Sequence, residues 1–202
     1  MSRKIFIDGG ALDGCSIKKF LRNRIEKDWH VFSFEPNPYL KEDLDKVASH
    51  FSNVTIHQKA ISTKNENSDF YVMYTPATIK VRGDKKKNGS SSLLHEKIEW
   101  KQFKNDYMGH EKVTVECVDF SEWLSNNIQP EDYVVLKMDI EGSEYDVLEK
   151  LIEEGTFDLI DELYMEWHAY KVKISASRHD ELLRNIQKYN LKKIDYNWNG
   201  ST

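Results

Sequence analysis

Residues 4–14 read KIFIDGGALDG: a short run of strand-forming residues meets two adjacent glycines, and residues of helical spacing follow. Glycine lets a backbone turn tightly and approach a ligand closely, and the first N–H groups of the next helix can bind polar atoms. In open parallel α/β sheets, ligands settle at the carboxyl ends of the strands, beside such a turn. The stretch therefore predicts both a parallel sheet and a ligand site at its first turn.

The alternation of strand and helix continues along the chain. Strand-like composition recurs at residues 30–38, 53–62, 132–142 and 159–168, and segments of helical spacing separate most of these runs. Parallel strands joined by right-handed helical crossovers follow from this order. We predict an α/β fold with a mostly parallel twisted sheet and helices on both of its faces.

Residues 63–110 interrupt this rhythm. They contain a further strand-like run and a polar loop, VRGDKKKNGSSSLL, at residues 81–94. An insertion between the third and fourth core strands fits this pattern best. The length of 202 residues suits a single domain, which we assign to residues 1–202. Because the first strand begins near residue 4 and the chain stops just after its last strand, we expect this domain to come from a longer polypeptide.

Composition disfavours several classes of protein. The chain has 29 Lys and Arg against 34 Asp and Glu, so no chain-wide positive charge attracts nucleic acid or anionic lipid. No apolar run approaches the ~18 residues of a membrane span, and the first residues lack the core of a signal peptide. Cys15 and Cys117 lack the spacing of a disulfide framework or a zinc site. We expect a cytoplasmic protein that binds no nucleic acid.

The glycine turn matches one of two known ligand-binding patterns. The dinucleotide fingerprint GxGxxG would need glycines at positions 9, 11 and 14, but Ala11 occupies the middle position. The pattern DxGxxxG does fit, with Asp8, Gly10 and Gly14. This pattern surrounds the methionine moiety of S-adenosylmethionine in Rossmann-like methyltransferases. A glycine-rich turn without a ligand remains the alternative.

An acidic residue ends the second predicted strand. Glu35 follows the apolar run of that strand, and Pro36 fixes the direction in which the chain leaves it. A carboxylate in this place can accept hydrogen bonds from both hydroxyls of a ribose, in nicotinamide and in S-adenosylmethionine sites alike. Glu35 therefore indicates that the ligand contains a nucleoside, but it does not indicate which reaction takes place. The alternative is that Glu35 is an acid at a helix N-terminus.

Six segments of the chain, taken together, resemble FkbM-type methyltransferases. They are FIDGGALDG, FSFEPNP, HQKAIS, GSSSLL, VTVECVDFSEWL and VVLKMDIEGSEYDVLEKL, in this order. The resemblance implies a Rossmann-like class I fold and transfer of a methyl group from S-adenosyl-L-methionine, with S-adenosyl-L-homocysteine as product, usually to an oxygen and often to a sugar hydroxyl. The chain is also similar to methyltransferase modules of glycan-building enzymes of large DNA viruses, which implies covalently linked glycosyltransferase domains as partners.

The resemblance also implies a set of cofactor residues. Ala60 would leave room for the adenine ring, although a small residue there can equally be core. Asp13 stands at a position that is more often apolar in the family, and it could bind the methionine ammonium. Leu12 departs from the family pattern, and the short C-terminus leaves little room for the seventh strand that usually completes such sheets. The implied cofactor residues are Asp8, Gly9, Gly10, Ala11, Asp13, Gly14, Glu35, Pro36, Ala60, Ile61 and Asp139.

Three side chains are candidates for the chemistry itself: Asp139, Glu166 and His168. Strand alternation predicts that Lys137, Asp139 and Glu141 share one side, and that Glu166 and His168 share a face of a neighbouring strand. A hydroxyl acceptor must lose its proton as it attacks the methyl group, so His168 is the candidate general base, and Asp139 orients it or takes the proton itself.

Other interpretations of these residues stay open. Lys137 and Asp139 can form a structural ion pair, and His168 can simply hydrogen-bond the backbone. The three candidates can instead ligate a divalent ion such as Mg²⁺, so no metal ligand is assigned.

Two other functions compete with sugar O-methylation. A nicotinamide-dependent dehydrogenase is opposed by Ala11 and by the KMDIEG segment. A non-catalytic glycan-binding module with a relict cofactor site is opposed by the intact candidate residues. For the methyltransferase we expect a carbohydrate acceptor, such as the 6-deoxyhexoses rhamnose and fucose, with the polar insertion at residues 75–110 closing over the sugar.

Overall fold

The computed structural model describes residues 2–23, 28–76, 80, 83–84, 86–104 and 107–197. Nine strands are defined among them: β1 (Lys4–Gly9), β2 (Trp29–Phe34), β3 (Val54–His57), β4 (Ala60–Ser62), β5 (Glu66–Tyr74), β6 (Gly109–Asp119), β7 (Tyr133–Met138), β8 (Glu162–Met165) and β9 (Lys193–Asp195). Six of them form one entirely parallel sheet in the order β3-β2-β1-β7-β8-β9. The predicted parallel sheet is confirmed.

Helices cover both faces of this sheet. The helices are α1 (Cys15–Asn23), α2 (Lys41–Ala48), α3 (Glu96–Phe103), α4 (Phe120–Asn127), α5 (Glu144–Glu153) and α6 (Ala176–Ile186). Alternate residues of a strand point to opposite faces, so Ile5 and Ile7 pack with residues of α4, α5 and α6, whereas Phe6 packs with residues of α1 and α2. Two apolar layers therefore enclose the sheet, as the sequence predicts.

A second, three-stranded sheet is formed by the part of the chain that comes between β3 and β7 in the sequence. Its order is β4-β6-β5, with β4 parallel and β5 antiparallel to β6. The predicted insertion is confirmed, but the prediction of one strand over residues 53–62 is wrong. The Gln58 side chain donates to the backbone oxygens of Glu35 (2.5 Å) and Asn37 (3.1 Å), and Ala60 then pairs with Cys117 of the second sheet.

The strand order reverses at β1. The chain proceeds from β1 to β2 and β3 on one side, and β7, β8 and β9 lie on the other. The carboxyl ends of β1 and β7 therefore form the switch point at which open α/β sheets bind their ligands. Gly10 lies here with φ +79°, and a Cβ atom on it would stand 1.9 Å from the backbone oxygen of Asp139. Only glycine allows the two strand ends to meet this closely.

The far edge of the main sheet is short. Strand β9 pairs with β8 through three residues, and no seventh strand joins this sheet in the described part of the chain. None of the helices described in the structure is long and apolar enough to cross a membrane.

Candidate active site

A cavity of about 350 Å³ opens at the carboxyl ends of β1, β2 and β7. This volume lies within the range of ordinary small-molecule sites. Seven residues that the sequence assigns to the site line it: Gly10, Glu35, Pro36, Ala60, Ile61, Asp139 and Glu166. The cavity has a wall around the glycine turn, a wall from the insertion and a wall of carboxylates.

The glycine-turn wall is held together by Glu35. Its two carboxylate oxygens accept hydrogen bonds from the backbone N–H groups of Leu12 and Asn37, each at 2.8 Å. Burial raises the pKa of Glu35 to about 7, although both hydrogen bonds oppose this shift. Leu12 itself adopts φ +53° and lines the cavity, so the turn presents its backbone and one apolar side chain to the ligand space.

Five of the predicted cofactor residues do not line this cavity. Asp8 is fully buried, where the Ser16 hydroxyl donates to it at 2.5 Å and the Lys137 ammonium lies 3.2 Å away. Asp13 accepts from the N–H of Cys15 at the start of α1 and borders a separate open depression. The remaining three pack inside the protein: Gly9, Ala11 and Gly14.

These five residues surround the cavity without lining it, and their contacts with a cofactor stay predictions. The DxGxxxG pattern shapes the turn, and of its three defined residues Gly10 lines the cavity. The Asp13 carboxylate hydrogen-bonds the first N–H of α1, and its contact with the methionine ammonium stays a prediction. Asp8 supports the turn from beneath through Ser16 and Lys137.

The insertion supplies the second wall. Residues 88–91 and Leu93 line the cavity opposite the glycine turn, and Gly89 is close enough that its Cβ would lie 3.2 Å from the Leu12 side chain. Asn88 is buried, and its amide Nδ2 has no hydrogen-bond partner among the described residues. Buried donors normally have a hydrogen-bond partner, so this amide is available to an acceptor atom of a ligand. Within the predicted closing segment 75–110, residues 77–79, 81–82, 85 and 105–106 lie outside the described residues.

The third wall carries Asp139, Glu141 and Glu166. Strand β7 ends at Met138, and Glu141 has φ +59°, so strand alternation does not continue to it. Lys137 and Asp139 do approach each other, with the Lys137 ammonium 3.8 Å from Asp139 Oδ2, so the prediction fails only for the alternation that it extended to Glu141. The Lys137 side chain turns inward and donates to the backbone oxygens of Gly9 (3.0 Å) and Gly10 (2.7 Å).

His168 lies directly behind the carboxylate wall. Strand β8 ends at Met165, so Glu166 and His168 follow the strand instead of sharing its face, yet their side chains still meet Asp139. The imidazole Nε2 lies 3.2 Å from Glu141, 3.5 Å from Glu166 and 3.8 Å from Asp139. The ring is fully buried and does not itself line the cavity, and its role as the base toward an acceptor stays a prediction.

The charges behind the wall are unusual for a protein interior. Burial lowers the pKa of His168, but the carboxylates of Glu144 and Glu166 outweigh this and raise it above its ordinary value. Burial raises the pKa of Asp139, against the opposing effect of Lys137. Lys97 of α3 is fully buried and contacts the Glu141 carboxylate, and burial lowers the pKa of Lys97 to about 6. Such clusters of shifted groups are typical of functional sites.

Comparison with known proteins gives the family. The model of the methyltransferase FkbM domain matches residues 8–192. The chain belongs to the FkbM methyltransferase family. Membership supports methyltransferase activity with a cofactor of the S-adenosylmethionine type. The recognition of the family from the six sequence segments is confirmed.

A solved structure shows the same fold. The methyltransferase FkbM from Methylobacillus flagellatus KT matches with a TM-score of 0.50 and 14% identity, over 91% of this chain and 37% of that one. This FkbM-family chain thus corresponds to less than half of that protein, and at this identity the likeness concerns the fold alone. No curated protein matches the chain.

The FkbM-family cofactor fits the residues of the cavity. Glu35 offers a carboxylate for the ribose, Ala60 and Ile61 leave a small apolar surface for a flat ring, and Asn88 offers an unsatisfied donor. The backbone of Gly10 is exposed to the ligand space between these groups.

Sequence reasoning misses several residues of the site. Glu141 and Glu144 lie inside the KMDIEGSEYDVLEKL segment, so the family motif contains them, but nothing in their spacing distinguishes ligand-facing from supporting acids. In the structure Glu144 accepts hydrogen bonds from the N–H groups of Ile140 and Gly142 and holds the turn. Lys97 comes from the insertion, far away in sequence, and no local pattern indicates it.

Proposed function

We propose that this domain transfers a methyl group from S-adenosyl-L-methionine to a hydroxyl oxygen of a sugar in a glycan. The observation that carries this proposal is the composition of the cavity. One side offers the groups that a nucleoside needs, and the adjoining side offers the carboxylates of Asp139, Glu141 and Glu166. A donor and a hydroxyl acceptor can therefore share one enclosed space.

The acceptor side favours a neutral, hydroxyl-rich molecule. Carboxylates accept hydrogen bonds from hydroxyl groups but repel phosphates and carboxylates, so three of them disfavour nucleic acid and acidic sugars. Leu93 and Ile140 provide apolar lining beside the carboxylates. A 6-deoxyhexose such as rhamnose or fucose combines hydroxyls with an apolar methyl group and suits this mixture.

The cofactor, when bound, supplies a methyl group activated by a positively charged sulfur. In the transfer, an O–C bond forms at the acceptor as the C–S bond breaks, the sulfur becomes neutral, and the hydroxyl proton must leave. Asp139 lines the cavity and can receive that proton, and Glu166 lies beside it. His168 is a positioning residue, since its Nδ1 contacts Glu144 at 2.8 Å and its Nε2 faces the wall carboxylates.

The wider setting of the reaction also stays a prediction. A sugar acceptor is consistent with a linked glycosyltransferase domain that delivers the newly made glycan, and with a cytoplasmic location. The similarity to modules of viral glycan-building enzymes belongs with these predictions.

The proposal is tested by incubating the domain with methyl-labelled S-adenosylmethionine and a panel of glycans that contain rhamnose, fucose or uronic acids. We expect label in neutral 6-deoxyhexose glycans, located by mass spectrometry, and none in RNA or protein. Label in RNA or protein with none in any glycan contradicts the proposed acceptor. A thermal shift with S-adenosylmethionine but no transfer to any acceptor favours a relict site, and a shift with NAD alone favours a dehydrogenase.

Cofactor affinity should depend on pH through Glu35. The ionised carboxylate accepts hydrogen bonds from both ribose hydroxyls, and its pKa is about 7, with Asp8 and Lys137 as the nearest other charges. The fraction of protein with an ionised Glu35 therefore grows as pH rises through 7. The dissociation constant of the cofactor should be about tenfold larger at pH 6 than at pH 8. Isothermal titration calorimetry with S-adenosylhomocysteine at both values measures this.

Two variants control this experiment. Glu35→Ala should weaken cofactor affinity at both pH values, and Glu35→Gln should remove the part of the pH dependence that belongs to this side chain. Titration of the ligand's own amine affects all three proteins equally and cancels in the comparison. Equal pH profiles for wild type and Glu35→Gln would remove Glu35 from the ribose site.

A further inference from the structure

Two side chains of the carboxylate wall and the histidine behind it offer ligand atoms to a common point. One atom each from Asp139, Glu141 and His168 lies within 4.8 Å of the others. The His168 Nε2 is 3.8 Å from Asp139 Oδ1 and 3.2 Å from Glu141 Oε2. Two carboxylates and one imidazole form a donor set that suits Mg²⁺ or Mn²⁺.

The orientation of His168 is the second observation. The ring is completely buried, and its Nε2 has no hydrogen-bond partner among the described residues although it points into the cluster. The other ring nitrogen, Nδ1, lies 2.8 Å from the buried carboxylate of Glu144. A hydrogen bond from Nδ1 to a carboxylate fixes the ring with its Nε2 toward the cluster, which is the usual arrangement around a histidine that ligates a metal.

The backbone of Glu141 is held in an unfavourable conformation that directs it into the cluster. Its φ of +59° is rare for a residue with a side chain. The Ser92 hydroxyl donates to its backbone oxygen at 2.8 Å, and Glu144 accepts from the next N–H, that of Gly142. Strain that the surroundings maintain in this way is concentrated at functional sites.

We propose that Asp139, Glu141 and His168 bind a divalent cation, Mg²⁺ or Mn²⁺, with Glu166 at its side. Asp139, Glu141 and Glu166 also line the cavity, so the open coordination positions of the ion face the acceptor space. The site follows from geometry alone, whereas its use in catalysis rests on the proposed function. There, the ion would bind the acceptor oxygen and make its proton easier to remove.

Lys97 occupies part of this site. Its side-chain nitrogen is fully buried and contacts the Glu141 carboxylate that the ion requires. Lys97 and the ion therefore compete for this carboxylate, and binding requires the Lys97 side chain to withdraw. Replacement of Lys97 should therefore strengthen binding of the ion.

The test is titration of the full chain with Mn²⁺. Isothermal titration calorimetry measures the binding, and electron paramagnetic resonance measures the free ion. Wild type should bind one ion. Glu141→Gln keeps the size of the side chain and should weaken binding at least tenfold, whereas Lys97→Met should tighten it at least tenfold. Glu116→Gln removes an exposed acid of the second sheet and should change nothing.

Several outcomes overturn the proposal. One is the absence of Mn²⁺ binding in both wild type and Lys97→Met. Another is binding that Glu141→Gln leaves unchanged, which places the ion elsewhere. A Lys97→Met protein that is destabilised and is not restabilised by Mn²⁺ shows that Lys97 is the permanent counter-charge of the cluster.

Failure of the site and failure of the proposed function give different results. Mn²⁺ binding without methyl transfer to any glycan leaves the site standing and refutes the proposed function. Methyl transfer to a glycan that EDTA does not inhibit, together with no Mn²⁺ binding, refutes the site and leaves the proposed function standing. Transfer that EDTA abolishes and Mg²⁺ or Mn²⁺ restores supports both.

Discussion

Replacement of Asp139 by asparagine should lower kcat for methyl transfer by roughly 10²–10⁴-fold, the usual cost of losing a positioned general base. Asparagine keeps the size of the side chain but can neither take the acceptor proton nor supply a negative charge. The side chain of Asp139 is 22% exposed, toward the cavity, so the fold should survive the change. Single-turnover kinetics with labelled S-adenosylmethionine measure the effect directly.

A matched control is Asp69→Asn, since Asp69 is an exposed acid that pairs with Lys112 on the second sheet. Its kcat should equal that of wild type. The affinity of Asp139→Asn for S-adenosylhomocysteine should change much less than kcat, because Glu35 and the glycine turn remain intact. Turnover near that of wild type in Asp139→Asn would leave the catalytic assignment without support.

Replacement of Lys137 by methionine should cost roughly 3–5 kcal/mol in the free energy of unfolding. The ammonium is buried between β1 and β7, where it faces Asp8 at 3.2 Å and binds the backbone oxygens of Gly9 and Gly10. Burial opposes its charge, but Asp8 and Asp139 more than compensate and raise the pKa of Lys137. Its removal leaves a buried carboxylate without its cation. Chemical denaturation at pH 7.5 measures the loss.

Two further variants separate burial from charge. Lys112→Met breaks an exposed pair of similar length and should leave stability unchanged. The double variant with Asp8→Asn and Lys137→Met removes both charges and should recover much of the loss. If Lys137→Met is as stable as wild type, the ion pair beneath the glycine turn has no structural role.

The sequence predicts the parts of the site that depend on local geometry. Gly10 can be assigned to the site from the sequence because a tight turn with positive φ needs glycine. Glu35 can be assigned because it directly follows an apolar strand, whose carboxyl end lies at the edge of the sheet where ligands bind. The parallel sheet follows from the same alternation of strands and helices. These features need no information about distant residues.

The errors arise where side-chain direction depends on the exact end of an element. Leu12 and Glu141 both adopt positive φ, which strand and helix periodicity do not anticipate. Asp13, the residue after Leu12, does not line the cavity, whereas Glu141 lines it and Lys137 does not. Lys97 depends on the packing of the whole insertion, which periodicity does not specify.

The close approach of Gly10 to the Asp139 backbone oxygen makes two turns of the cavity one mechanical unit. No methyl group fits between them, and the Lys137 ammonium fastens the glycine turn to the strand that carries Asp139. A displacement of one turn should therefore move the backbone of the other. We therefore expect a substitution at position 10 to disturb the glycine turn and the backbone of Asp139 together.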